Sequence, residues 1–397
     1  MSQPNYDILV VGAGIHGVGV LQAAAAAGMR ALCLEARSVA AGTSSRSSKL
    51  IHGGLRYLES GQLRLVRESL HERNILLQIA PDLVRMVPFT IPVYSDTSRG
   101  AHAIRAGLGL YALLGGMNRD ARFRVIPRRE WDTLDGLELD GLRKVFQYKD
   151  GQTDDAQLSR AVARSAVELG ARLELPAEVL RIERDSESFL IRYRTPAGET
   201  SVRASTIVNA GGPWAEALLD RVHPSLPDSA RRQVELVAGS HLEFPGALAS
   251  GCFYTEAEDR RAVFVMPWHG HTLVGTTERP YAGDPARIEP TEQEETYLTQ
   301  TYARHFPSRN HVPTKSWAGL RVLPTGSGSA FGRPREVDLA CDPSSRPCLV
   351  TIYGGKLTGY RSTAQKVMQC LAPYFEHNGQ RFEPRADTAT TPLTSSE

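Results

Sequence analysis

A chain of 397 residues with 41% hydrophobic and 23% charged residues is long enough to bury a large core in more than one unit. Its 46 basic and 44 acidic residues leave a net charge of only +2, which argues against nucleic acid as a general partner. Five cysteines (Cys33, Cys252, Cys341, Cys348 and Cys370) form no CxxC and no zinc-like cluster; with neither a leader peptide nor an apolar run long enough to cross a bilayer, a reducing cytoplasm is the expected setting.

In chain order, Ile8–Val11 is an apolar run of the length a buried parallel strand needs. It enters Gly12-Ala13-Gly14-Ile15-His16-Gly17, after which the alanine-rich stretch Val18–Ala27, closed by Gly28, predicts a helix. Gly12 permits the tight turn, Gly14 lets the backbone approach a pyrophosphate, and Gly17 lets the helix pack on the strand. The free N–H groups of the helix start then face the phosphates. Gly12, Ala13, Gly14 and Gly17 are therefore expected at a dinucleotide. A second strand, Arg30–Leu34, ends at Glu35, 21 residues after Gly14. A carboxylate there can accept hydrogen bonds from an adenosine ribose and would repel the extra phosphate of NADP.

Residues 41–59, AGTSSRSSKLIHGGLRYLE, make a poor core sequence and a good surface for a polar anion. Thr43, Ser44, Ser45, Ser47, Ser48 and Lys49 are expected along the cofactor, with His52 as its neighbour or as a base. A helix over Ala103–Leu114 places Ile104, Leu108 and Tyr111 on one face, with Arg99, His102 and Arg105 near one end. That pattern suits peripheral membrane contact as well as packing on the protein. Thr153-Asp154-Asp155 starts another helix. A strand pair follows, Arg172–Leu175 and Glu178–Leu180, with Val179 expected at the cofactor. Phe189–Arg194 and Ser201–Ala204 flank a turn at Thr195–Glu199.

The strand Thr206–Asn209 runs into Ala210-Gly211-Gly212-Pro213-Trp214, and Ala210, Gly211 and Trp214 are expected against the dinucleotide. His241 is expected at a strand end, Thr276 and Thr277 just after the strand Thr272–Gly275, and Arg321 on a short turn containing Gly319. Arg335 follows a Gly/Ser-rich stretch, 326–334. Leu349–Tyr353 leads into Gly354-Gly355-Lys356-Leu357-Thr358, a second strand–Gly-Gly–helix junction that can offer N–H groups to the flavin end of an extended FAD. No second complete GxGxxG accompanies it. FAD is therefore the expected cofactor, without a separate nicotinamide site and without a metal.

The fingerprint, TSSRSSKLIHGGLRYLE, VNAGGPW, VFVMPW with VGTTE, WAGLRVLP and YGGKLTGYR occur in an order and spacing that resemble the FAD-dependent glycerol-3-phosphate dehydrogenase family, among the D-amino-acid-oxidase-like oxidoreductases. The resemblance spans about residue 6 to about residue 375. It implies an α/β chain, α+β overall, with a Rossmann-like FAD-binding unit interleaved with a substrate unit of mixed or antiparallel sheet. It also implies oxidation of sn-glycerol 3-phosphate to dihydroxyacetone phosphate, with electrons passed to quinone or another acceptor. Contact with the inner face of the cell membrane and an oligomeric state are compatible with it. Members usually continue into a C-terminal helical domain, whereas this sequence ends in a polar tail, Asp387–Glu397. The family's usual tyrosine ahead of Gly-x-Arg is Trp317 here, and the usual proline after that arginine is Val322.

Oxidising a secondary alcohol removes a hydride from carbon and a proton from oxygen, while a phosphate near neutral pH carries about 1.5 to 2 negative charges to be neutralised. Arg56, Arg321 and Lys356 are the cations in the family-like motifs, with Arg335 a fourth; Thr276 and Thr277 can bond substrate oxygens. His52 and His241 compete as base, and Arg321 can sit beside the developing alkoxide. The expected units are 1–90, 151–220 and 316–375 for FAD, 91–150 and 221–315 for substrate, and 376–397 as a tail. An amino- or hydroxy-acid oxidase of the same fold and a non-catalytic flavin-binding module remain open, because an arginine that binds phosphate can equally bind carboxylate.

Overall fold

A computed structural model describes residues 5–117, 121–185, 188–325, 336–343 and 345–395. Among them the strands gather into one sheet of nine and one of ten. The expected first strand, Tyr6–Val11, is the hub of the nine-stranded sheet, with parallel partners Ala31–Leu34 on one side and Gly198–Asn209 on the other. Its interior residues Ile8, Leu9 and Val10 are fully buried, as a strand covered on both faces requires. The helices Ile15–Ala26, Asp155–Glu168 and Tyr360–His377 pack together on this sheet, and Asp154 caps the second by accepting from the Gln157 N–H at 2.9 Å.

Several expectations need correction. The two strands expected at Ser201–Ala204 and Thr206–Asn209 are one, Gly198–Asn209; its first half pairs with Phe189–Thr195 and its second with Leu349–Tyr353. The strands Arg172–Glu174 and Glu178–Arg184 are not a pair. The first lies beside Ala31–Leu34, and the second joins the antiparallel Phe189–Thr195 across the sheet. A short link reads as a hairpin in sequence, but the Ala177 N–H donates instead to the Glu35 carbonyl at 2.7 Å and carries the chain past the end of the strand Ala31–Leu34.

The second sheet holds Leu50–Ile51, Val84–Tyr94, Leu142–Thr153 and the strands between Val234 and Pro324. Residues 50–51, 84–90, 151–153 and 316–324, grouped by sequence with the FAD unit, thus belong to the other layer. Alternation shows that a segment is a strand and says nothing of which sheet it joins. The helix Ala101–Leu114 packs on this layer through Leu108 and Tyr111, 1% and 3% exposed, so the face suggested for membrane contact points inward. Among the described residues no helix is long and apolar enough to cross a membrane. The segment after His377 is docked as well: Arg385 bonds to the Ala26 carbonyl and Leu393, 2% exposed, to the Ile79 carbonyl.

Candidate active site

A cavity of about 600 Å³ opens where the parallel strands of the first sheet end, and the second sheet forms its far wall. Open α/β sheets place ligands at this position. At one end lie Glu35, Val179 and Trp214. The two Glu35 oxygens accept from the N–H groups of Ala13 and Arg37, at 2.7 and 2.8 Å. Each oxygen keeps a further lone pair for a ribose diol. The Arg37 guanidinium lies 5.0 Å from the centre of the Trp214 ring at the rim.

In the middle the backbone is bare. Gly12 has φ +100°, and a Cβ there would lie 2.7 Å from the Ala210 carbonyl oxygen. Gly17 faces away from the cavity, and its role is packing: a Cβ would sit 1.8 Å from the Gly12 oxygen. Ser44 Oγ accepts from the Ile15 N–H at 2.9 Å, tying the hydroxyl-rich loop to the helix start. This glycine cradle, the helix N–H groups and the ribose acid together fit an adenine dinucleotide.

The same loop is fastened to the second sheet. Thr43 Oγ1 donates to the Leu320 carbonyl at 2.7 Å, and Arg46 Nη1 to the Ala318 carbonyl at 3.0 Å. The fastening needs glycine. Gly239 and Gly319 are cross-strand partners on Val234–Pro245 and Lys315–Pro324. A Cβ on Gly319 would lie 2.8 Å from the Arg46 oxygen, and one on Gly239 2.8 Å from Arg321 Nη2. Gly319 therefore serves close backbone approach within a strand. Arg321 is on that strand, so the expected turn is corrected, and His241 is mid-strand rather than at an end.

At this wall His241 Nε2 is 3.0 Å from Ser48 Oγ, the ring stacks on Trp317 at 5.7 Å between centroids, and Nδ1 is buried with no partner. Burial, and then the charges of Arg321 and Lys49, push its pKa down to about 3. Arg321 donates to Thr276 Oγ1 at 3.0 Å and the Thr277 carbonyl at 3.3 Å, and Glu278 lies 3.7 Å away. Opposite, the Gly354–Thr358 turn brings Lys356, whose Nζ is 3.8 Å from the Tyr57 ring centre, and Thr358, whose Oγ1 accepts from the His52 N–H at 3.1 Å.

Of the residues expected at cofactor or substrate, Ser47, Ser48, His52, Gly211, Gly354, Gly355, Leu357 and those placed above at the wall or rim line the cavity. Ala13, Ser45, Lys49, Arg56, Thr276 and Thr277 do not. Lys49 is turned inward at φ 58°, with Nζ 2.8 Å from Asp155 Oδ1 and between the rings of Trp268 and Trp317. Ser45 donates to the Gly42 carbonyl. Thr277 Oγ1 is committed to Glu294 and the Ser240 N–H, so the two threonines hold Arg321 and its neighbours. Arg56 stacks on Tyr57. Arg335 lies outside the described residues.

His16, Arg46 and Tyr57 line the cavity and were not expected there. The GLRYLE motif contained the signal for Tyr57. Nothing in sequence distinguishes His16, which occupies a variable position of the fingerprint. Its Nε2 would be 2.4 Å from a Cβ on Gly355, its Nδ1 has no partner, and burial lowers its pKa to about 4.

His16 and His241 make stability depend on pH. Their folded pKa values, about 4 and about 3, lie below the ordinary 6.5, so the unfolded chain takes up protons first on acidification. Their stabilisation is complete above pH 6.5 and is lost as pH falls toward those values, at roughly 1.4 kcal/mol per pH unit for each. Thermal melts from pH 7.5 to 5 are expected to show a falling Tm, and the H16N/H241N double variant a flatter curve. An equal slope in both proteins refutes the assignment.

Comparison with known proteins gives a consistent result. A family model described as FAD dependent oxidoreductase matches residues 7–361. Glycerol-3-phosphate dehydrogenase of Pseudomonas aeruginosa is 36% identical, over 99% of this chain and 75% of that protein. D-erythritol 1-phosphate dehydrogenase of Brucella abortus is 35% identical, over 96% and 76%. The solved structure of glycerol-3-phosphate dehydrogenase from Bacillus halodurans complexed with FAD superposes with TM-score 0.75, covering 99% of this chain and 68% of that one; at 24% identity it speaks for the fold.

Proposed function

Because the chain belongs to the FAD-dependent oxidoreductase family, with glycerol-3-phosphate dehydrogenases among its relatives, we propose that it oxidises sn-glycerol 3-phosphate to dihydroxyacetone phosphate with FAD as cofactor. The observation that carries this reading is that Arg321 and Lys356, from opposite layers, line one cavity with His241 and His52. A dianionic ester needs more than one cation, whereas a simple carboxylate substrate needs one.

When bound, FAD supplies the acceptor for the hydride leaving the secondary carbon. The chain's own groups do the rest. Arg321 and Lys356 hold the phosphate, and Thr276 and Thr277 fix the guanidinium in its plane. With the ring proton of His241 on the enclosed Nδ1, Nε2 accepts from Ser48 Oγ at 3.0 Å; Ser48, which lines the cavity, gives its proton to Nε2 as it takes the substrate hydroxyl proton. Its depressed pKa keeps the ring neutral, and the incoming dianion raises its proton affinity. Glu35 and the glycine cradle hold the adenosine and pyrophosphate.

Mixing FAD-loaded protein anaerobically with glycerol 3-phosphate is expected to bleach the visible flavin band. D-erythritol 1-phosphate, run in parallel, tests how long a polyol the cavity accepts. If no polyol phosphate bleaches the protein, the reading fails. Recolouring by a soluble quinone rather than by air would identify a quinone as the electron acceptor. Under the same assay His241→Asn is expected to lower the reduction rate about 10²- to 10⁴-fold with apparent substrate affinity little changed. Equal loss in His52→Asn alone would transfer the base role to His52.

A further inference from the structure

We propose that Tyr111 is a positioning residue for the segment His52–Tyr57, acting through the main chain of Gly53. The proposal rests on the reading above that this segment belongs to the substrate site. Tyr111 comes from the helix Ala101–Leu114, outside every motif that pointed to the cofactor. Its hydroxyl accepts from the Gly53 N–H at 2.8 Å and donates to Asp150 Oδ2 at 2.5 Å. Asp150 Oδ1 in turn accepts from Arg73 Nη1 at 2.9 Å. Tyr111, Asp150 and Arg73 are 3%, 1% and 1% exposed, so the network is closed to water.

Sequence and geometry explain each other here. A Cβ on Gly53 would lie 2.5 Å from the Tyr111 oxygen and 2.6 Å from Leu70 Cδ2, so only glycine lets the backbone come down onto the hydroxyl. Gly54 has φ +81°, and a Cβ there would strike the Tyr57 ring at 2.2 Å. On the other flank the His52 N–H is held by Thr358 Oγ1 at 3.1 Å. The peptides on both sides of His52 are therefore fixed, one from the cofactor turn and one from Tyr111. Burying an ion pair costs desolvation that apolar packing avoids, and what such a network supplies is orientation. Here it orients the stretch that presents His52 and Tyr57 to the cavity.

The test is Tyr111→Phe in the FAD-loaded protein, which keeps the ring and removes the hydroxyl. Leu108→Ala, from the same helix, serves as a packing control. Two readouts are expected to change in Y111F and not in L108A. Hydrogen exchange at the Gly53 amide speeds up by about tenfold or more, the loss of one buried hydrogen bond. The kcat/KM for glycerol 3-phosphate falls by roughly tenfold to a hundredfold, as displacement of a site segment produces. FAD content stays at the wild-type level. Unchanged Gly53 exchange, or unchanged kcat/KM, overturns the proposal, as does L108A reproducing both effects. If the wild-type protein is reduced by no polyol phosphate, the substrate reading fails, while Gly53 exchange still decides whether Tyr111 holds the segment.

Discussion

Arg321→Met reduces kcat/KM for glycerol 3-phosphate by about 10²- to 10³-fold, the scale of removing one partner from a desolvated charge pair, and leaves the protein yellow. Methionine fills much of the same space, so the change is one of charge and hydrogen bonding. The arginine is only 18% exposed, and its Nη1 and Nη2 are anchored on the Thr277 carbonyl and Thr276 Oγ1. Those anchors hold the guanidinium at the cavity wall. A lysine at 321 cannot keep both anchors and still grip the ester in a fork, so Arg321→Lys is expected to recover only part of the loss. Because the dinucleotide cradle is built from other residues, FAD content should match wild type. Anaerobic stopped-flow reduction across substrate concentrations measures the effect. Wild-type kcat/KM in R321M contradicts the assignment of Arg321 to the phosphate.

Gly17→Ala is expected to give a colourless protein. One methyl group would be placed 1.8 Å from the Gly12 oxygen, 3.0 Å from the Gly12 carbonyl carbon and 3.1 Å from Ala210 Cβ. The first two belong to main chain, which has no rotamer by which to yield, so the helix Ile15–Ala26 must move off the strand. Overpacking of a rigid core costs about 1–3 kcal/mol. The larger consequence is displacement of the helix N–H groups proposed to hold the pyrophosphate, and FAD affinity should fall at least about a hundredfold, some 2.7 kcal/mol. Titrating apoprotein with FAD and following the quenching of its fluorescence measures this. Wild-type affinity in G17A would mean that the helix start does not contribute to holding the cofactor.

What could be read from sequence followed the range of the interaction. Gly12, Gly14, Gly17 and Glu35 lie within one strand–turn–helix–strand unit, so spacing alone gives their geometry. The turn at Gly354-Gly355 is legible for the same reason, since positive φ at both residues is a local requirement. Arg321 and Gly319 are different. Gly319 was read as a turn residue, yet it exists for Gly239 and Arg46, far away in the chain and near only after folding. Lys49 looked like one more polar contact in a serine-rich loop. Its carboxylate partner, Asp155, is 106 positions on, and no pattern around residue 49 announces it. Thr276 and Thr277 were expected at substrate oxygens; in the fold Thr276 Oγ1 accepts from Arg321 and Thr277 Oγ1 donates to Glu294, both distant in sequence. The layer to which Lys315–Pro324 belongs was equally hidden, because both sheets use the same alternation.

The bonds from Thr43 and Arg46 to the carbonyls of Leu320 and Ala318 have a thermodynamic corollary. Anything that steadies the strand bearing Arg321 also steadies the loop proposed to hold the nucleotide, and the reverse. Occupancy by an unreactive ester analogue should therefore slow the escape of FAD, and by reciprocity the loaded form should grip that analogue more firmly than the apoprotein does.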